Sequence, residues 1–269
     1  MIGPKTLSRA VAAISVLCAP PCHAQSTNAV LDWNLIVSDT AVAGGQSSVV
    51  QTRTFAMVQA AVHDALNAID RRYELYVQAP ILPIGASPEA AVATAAHNVL
   101  VALIPAQSES LDAAYATALA SIADGPAKEV GVAAGKAAAA AILALRAADG
   151  AANANRPYTA GTEPGDYQLT NPTAPAVTPG WGDVAPFALK DPAGFRPPPL
   201  YSIEHHQYAE DFAEVKRIGA AQSTERSDEQ TQIARFWAEP MATMWNRMPA
   251  RWRSNKGWGS GRARACSPC

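Results

Sequence analysis

Apolar residues recur at intervals of three and four along most of the chain, a spacing that predicts helices with one buried face. The pattern is clearest from Arg53 to Asp70, RTFAMVQAAVHDALNAID, where Phe55, Val58, Val62, Leu66 and Ile69 fall on one side. Ala56, Ala60, Ala61, Ala65 and Ala68 lie between them and are small enough to let neighbouring helices approach closely. His63, Asp64 and Asn67 sit in or beside this stripe, so they need hydrogen-bond partners, expected here from other helices. A helix of this kind draws its stability from packing and forms the centre of a bundle.

The same reading extends along the chain. Ser26 or Thr27 is expected to cap a helix carrying Val30, Trp33 and Val37 and ending near Gly44-Gly45. Tyr73 to Gly85 is a connector with Pro80 and Pro83. Ser87-Pro88-Glu89 opens a helix, with a capping hydroxyl, a proline at the first position and an acid in the first turn. It carries Val92, Ala96, Val99, Leu100 and Leu103 and stops before Pro105. Ser108 is expected to cap the next helix, with Leu111, Tyr115, Leu119 and Ile122 along it. Gly125-Pro126 then leads into a long alanine-rich helix ending near Arg146 and closed by Asp149-Gly150. Helices joined by short turns predict an all-α antiparallel bundle.

Residues 151–199 break the pattern, holding ten of the 21 prolines and no helical period. Their spaced aromatics, Tyr158, Tyr167, Trp181, Phe187 and Phe195, predict an ordered strap packed along the bundle, since disordered segments are poor in aromatics. Helical spacing returns with Tyr208, Phe212, Val215 and Ile218, and again after Ser227-Asp228-Glu229 with Ile233, Phe236 and Trp237. The organisation expected is a signal peptide (1–24), an N-terminal helical bundle (25–150), the strap (151–199), helices continuing the bundle (200–239) and a basic, aberrant, non-periodic tail (240–269).

Composition sharpens this picture. The 269 residues are 49% hydrophobic and 16% charged, enough for one sizeable core. Aromatics are sparse at 7% while alanine is abundant, which favours helices over sheets. The net charge of −2 conceals an asymmetry: residues 240–269 hold Arg247, Arg251, Arg253, Lys256, Arg262 and Arg264 and no Asp or Glu. The rest is therefore acidic, and no nucleic-acid partner is expected. Lys5 and Arg9, the apolar run from Ala10 to Ala19 and Cys22-His23-Ala24 read as an export signal, so the location expected is periplasmic or secreted. No later run reaches the roughly 18 uncharged apolar residues of a membrane span. With Cys18 and Cys22 assigned to the signal, Cys266 and Cys269 form a terminal C-x-x-C with no second pair for zinc and no following helix to activate a thiol.

Candidate chemistry is thin. Adjacent helical residues point about 100° apart, so His63 and Asp64 cannot form an acid–base pair; a buried structural histidine beside a helix-bridging aspartate is expected. His97 lies in an Ala/Val/Leu helix and belongs to core or rim. His206 and Glu210 share a helix face four residues apart, but a metal needs further ligands. Lys190 to Arg196-Pro197 has the look of a phosphate-binding pair, although in a Pro/Gly loop Arg196 is better placed to bond carbonyls. Neither a nucleophile elbow nor a phosphate-cradling glycine loop occurs. On its own, the residue pattern assigns no catalytic, cofactor-binding or metal site.

Four segments carry a resemblance: RTFAMVQAAVHDALNAIDRRYELY, PGWGDVAPFALKDPAGFRPPPL, YAEDFAEVKRIGA and QTQIARFWAE. They resemble the N-terminal half of bacterial vanadium-dependent haloperoxidases, exported relatives of the type 2 phosphatidic acid phosphatases, over about residues 26–239. The resemblance implies a helical bundle and, for full-length members, a bound vanadate at which hydrogen peroxide oxidises halide; the related acid phosphatases bind phosphate in the same pocket. The family's oxyanion site uses Lys-x6-Arg-Pro, Pro-Ser-Gly-His and Ser-Arg-x5-His motifs. Lys190 and Arg196 are separated by five residues rather than six, and Gly259-Ser260-Gly261-Arg262 has no histidine. No site residue carries over, so the resemblance implies a chain truncated before the catalytic motifs, inactive, and without a cofactor of its own. A slipped reading frame near residue 250 is one origin for the tail, because a shifted frame permits an amphipathic helix there. A non-catalytic helical module that self-associates through an exposed apolar face is the alternative.

Overall fold

The structure is a computed structural model and describes residues 28–77, 85–171 and 173–256, with side chains through 249. The export signal (1–24), Cys266, Cys269 and the Gly259–Arg262 stretch lie outside the described residues. Eight α-helices make up the fold, and no strand occurs among the described residues. They are α1 (Ala29–Ala43), α2 (Ser48–Ile69), α3 (Pro88–Leu103), α4 (Ser108–Ala120), α5 (Pro126–Leu145), α6 (His206–Gly219), α7 (Asp228–Trp237) and α8 (Met241–Lys256).

The centre is a three-helix packing of α2, α3 and α5, with α1 and α4 laid against α3. Phe55, Val58 and Val62 of α2 are buried, as the spacing predicts, in one core cluster with Val92, Val99 and Leu100 of α3. Small residues bring α3 and α5 together. Gly131 and Gly135 stand one turn apart on α5, facing Ala90, Ala91 and Thr94 of α3. A β-carbon on Gly135 would come within 2.5 Å of the Ala91 carbonyl oxygen, and one on Gly131 would collide likewise with that of Ser87. Alanine already exceeds the space, so this crossing requires glycine.

Several helix starts follow the sequence closely. Ser87 Oγ accepts from the Ala90 amide at 3.2 Å, with Pro88 next in line. Ser227 and Gln230 form a reciprocal capping box at the start of α7. Two starts differ. Asn28, rather than Ser26 or Thr27, caps α1, its Oδ1 accepting from Val30 and Leu31. Ser108 lies inside α4 and caps nothing, because a 3-10 turn over Pro105–Gln107 already leads the chain into the helix.

Residues 241–249 of the expected non-periodic tail are also ordered against the bundle, in α8. Ala242, Thr243 and Met244 are buried against α1 and α2. Thr243 Oγ1 donates to Gln51 Oε1 at 3.0 Å, and Asn34 Nδ2 donates to the Asn246 carbonyl at 2.5 Å. Arg247 pairs with Asp39 of α1 at 3.1 Å. The helix continues through Pro249. Among the described residues its buried face carries only Ala242, Thr243 and Met244, too short a run for a hydrophobic period to register.

Candidate functional site

A buried cluster of charged side chains lies where the C-terminus of α5 meets α2 and the strap. Arg146 follows the last residue of α5, and Asp149 sits one turn further on. Arg53 reaches across from α2. Asp149 Oδ2 accepts from Arg53 Nε at 2.7 Å and pairs with Arg146 Nη2 at 2.9 Å; its Oδ1 accepts from the Ala151 amide at 3.1 Å. Burial alone would raise this carboxyl's pKa, but the Arg53 hydrogen bond, the Ala151 amide and the two guanidinium charges outweigh it. The pKa of Asp149 therefore lies below the usual aspartate range.

Arg146 is the hub. It donates to the carbonyls of Ala185 at 2.6 Å and Pro186 at 3.2 Å, and its guanidinium carbon stands 4.0 Å from the centre of the Phe187 ring. The Asp149 carbonyl accepts from the Ala185 amide at 2.8 Å, and Tyr76 donates to the Phe187 carbonyl at 2.8 Å. Residues 185–187 are thus the point at which the strap is pinned to the bundle. Elsewhere the strap is looser: Tyr167 and Phe195 are exposed. The strap is present, packed at residues 185–187 and also through the buried Ala154 and Thr178 and the cleft-lining Trp181.

A cleft of about 380 Å³ opens beside the triad, lined by Gln46, Thr54, Met57, Leu103, Asn155 and Trp181 among others. Two guanidiniums against one carboxylate leave one net positive charge. The bonds of Arg146 nonetheless run to protein carbonyls and Asp149, and Arg53 bonds Asp149 and the Arg146 carbonyl. Arg146 Nε is fully buried and has no partner. No histidine, lysine or cysteine lines the cleft. The arrangement fastens helix to strap; it offers neither a nucleophile nor a proton-transfer pair.

The singled-out residues lie apart from this place. Asp64 is buried, and its two oxygens accept from the amides of Tyr76 at 2.7 Å and Val77 at 2.8 Å. Asn67 Oδ1 accepts from Arg72 and Tyr73. Half-buried His63 has its Nε2 2.9 Å from the Glu74 carbonyl oxygen. The expectation of a buried histidine and partners from other helices is therefore corrected: α2 spends these polar groups on the connector that follows it. A loop turning back over its own helix supplies amides sooner than a distant helix can.

His97 is at the rim, stacked on Tyr115 with ring centres 4.3 Å apart and 2.7 Å from Asp112 Oδ1. His206 and Glu210 are exposed on α6, and no group of three or more His, Cys, Asp or Glu among the described residues is placed to hold a metal. Lys190 and Arg196 are exposed, and among the described residues the Arg196 side chain bonds no carbonyl, against expectation. Sequence reasoning missed the Arg53–Asp149–Arg146 triad. Its signal was an arginine closing an alanine-rich helix with an aspartate three residues later.

An all-helical bundle with a pinned proline-rich strap defines the class of protein. No protein-family model and no curated protein sequence matches the chain. Among solved structures it is similar to the one described as the first bacterial vanadium-dependent iodoperoxidase, with a TM-score of 0.61 and 23% sequence identity. The match covers 79% of this chain and 56% of that one, so the chain spans little more than half of the iodoperoxidase. The fold is vanadium-haloperoxidase-like. Among the described residues no helix is long and apolar enough to cross a membrane.

Proposed function

We propose that this chain is a haloperoxidase-like helical scaffold that binds no vanadate and oxidises no halide by itself. The observation that carries this reading is the chemistry of the polar cleft beside Arg53, Arg146 and Asp149. Holding an oxyanion there needs donors free to turn toward it, and proton transfer needs a histidine or equivalent base. Here the bonded nitrogens of both guanidiniums are spent on Asp149 and on carbonyls, the unpartnered Arg146 Nε is fully buried, and no histidine is among the residues lining the cleft. The fold of the iodoperoxidase supports the relationship. The test uses the purified chain with iodide, hydrogen peroxide and orthovanadate, read by triiodide absorbance, together with a vanadate or phosphate thermal shift. Neither turnover nor stabilisation is expected; vanadate-dependent triiodide formation overturns the proposal.

The bare apolar faces of α6 and α7 favour a second reading, a non-catalytic exported module that works through association. We propose export on the basis of residues 1–24, and N-terminal sequencing of the periplasmic or secreted product checks it. Retention of the leader in a cytosolic product counts against it.

A further inference from the structure

We infer that the cleft beside Arg53 is a preformed binding site for a small monocarboxylate with an apolar tail. The inference concerns binding alone and does not depend on whether the chain oxidises halide. Much of the wall is apolar. Val50, Arg53, Thr54 and Met57 fall at i, i+3, i+4 and i+7 on α2, so they share one face of that helix. Leu103 at the end of α3, Leu143 in the last turn of α5 and Trp181 of the strap line the same space. Met57 is buried, whereas Val50, Leu103, Leu143 and Trp181 are only half-buried. Incompletely covered apolar side chains are normally scattered singly. Here four of them line one concavity of about 380 Å³, inside the range of roughly 300–1,000 Å³ usual for small-ligand clefts.

Charge selects the head group. The charged residues lining the cleft are Arg53, Arg146 and Asp149, one positive charge in excess. Asp149 is buried and accepts through both oxygens. Arg146 is buried as well, with Nη1 and Nη2 bonded within the protein. Arg53 differs. It donates through Nε to Asp149 at 2.7 Å and through Nη2 to the Arg146 carbonyl at 3.2 Å, and its side chain is 14% exposed. Those two bonds fix the planar guanidinium and leave Nη1 as the donor for a ligand. Asn155, exposed and lining the same cleft, brings a side-chain amide. A carboxylate is an acceptor at one end, so a charge-assisted bond from Arg53 suffices for it. A tetrahedral oxyanion carries acceptors on every corner and needs donors on several sides. The rest of a monocarboxylate is hydrocarbon, which the Val50–Leu103–Leu143 wall removes from water.

The strap side of the cleft is set before any ligand arrives. The Gly180 amide donates to the Ala154 carbonyl at 2.9 Å, and the Ala185 amide to the Asp149 carbonyl at 2.8 Å. The backbones touch closely between these bonds: a β-carbon on Gly180 would stand 2.8 Å from the Asn153 carbonyl oxygen, and one on Gly150 2.9 Å from that of Asp183. Trp181 thus belongs to a stretch fastened at both ends, and little ordering is left for binding to impose.

The test titrates the isotope-labelled full chain with octanoate at neutral pH and follows its amide and indole N–H resonances. Shifts are expected at residues 50–57 and 147–155 and at the Trp181 indole, with a Kd on the order of 0.1–1 mM. 1-Octanol, which lacks the charge, is expected to bind at least about tenfold more weakly, and octylamine and inorganic phosphate to leave these resonances in place. Ala152→Trp, on the exposed rim, is expected to weaken octanoate at least about tenfold with an unchanged melting curve. Arg53→Lys keeps a cation for Asp149 but gives up the fork, and is expected to weaken octanoate by a similar factor while octanol binding stays as it was. Octanoate that shifts none of these residues overturns the proposal. So does octanol that binds as tightly as octanoate, or phosphate that displaces it. Vanadate, halide and peroxide are absent throughout, so this result and the catalytic one are read separately.

Discussion

Two regions of the molecule are built from the same kind of pattern and meet opposite fates. In α2, α3 and α5 the apolar stripe is covered, and the contact surfaces are lined with glycine and alanine. In α6 and α7 the stripe is at least as regular but lies in solvent, and its side chains are large aromatics and branched aliphatics. Periodicity reports that a helix has a face to hide. The size of the side chains between the stripes reports how closely a neighbour can come. Small residues let α3 and α5 approach closely, whereas the bulky ones on α6 and α7 stand exposed.

The contrast can be tested from its strongest side downward. Gly135→Val adds a branched side chain where even a β-carbon collides with the α3 backbone, and is expected to cost about 3 kcal/mol or more. A thermal melt followed by circular dichroism checks it; an unchanged melt would mean that α3 and α5 are not in contact as described. Leu100→Ala empties a fully buried site and is expected to cost about 2–5 kcal/mol in denaturant titration, depending on how far the site collapses.

Asp149→Ala leaves the buried Arg146 without its counter-charge and is expected to cost about 3 kcal/mol. The same carboxylate sets a pH dependence. Its pKa is lower folded than unfolded, so its stabilisation is complete above the unfolded value of about 4 and fades as pH falls through the folded value. Acid melts of the wild type should therefore decline more steeply below about pH 4 than those of Asp149→Asn. At the weakest end, Phe212→Glu should change the stability of the isolated chain by no more than about 0.5 kcal/mol. A large loss there would show that α6 packs within its own chain after all.

Much of the fold was legible because its signals are local. The Phe55–Val58–Val62 face, the Ser87-Pro88-Glu89 start and the Gly125-Pro126 restart each depend on neighbours a few residues away. What escaped depends on distant partners. Whether the Phe212 stripe is covered is decided by what lies opposite it, which α6 does not encode. The place of α8 rests on Thr243 and Asn246 finding Gln51 and Asn34, polar pairs that leave no hydrophobic period. The histidines and the Lys190–Arg196 pair attracted notice as residue types associated with chemistry. The groups gathered in the interior were Arg53, Arg146 and Asp149, which in sequence look like a helix interior and a helix stop. The absence of family motifs left only a resemblance spread over four segments, and the solved iodoperoxidase fold agrees with it.

The seating of α8 also bears on the order in which the molecule assembles. The Asn34–Asn246 contact joins residues 212 positions apart, and Gln51–Thr243 joins residues 192 apart. The α3–α5 crossing, by contrast, closes a loop of a few tens of residues around α4. Bringing chain ends together costs more entropy as the loop lengthens, so the central crossing can form early while α8 docks last. An element that docks last and buries little apolar surface is also the first to lift away. Amide protons of α8 should exchange by local opening well before those of α3 and α5. When α8 lifts, the buried Ala242 and Met244 leave the surfaces of α1 and α2 they rest against, and the chain briefly shows a face that its resting form conceals.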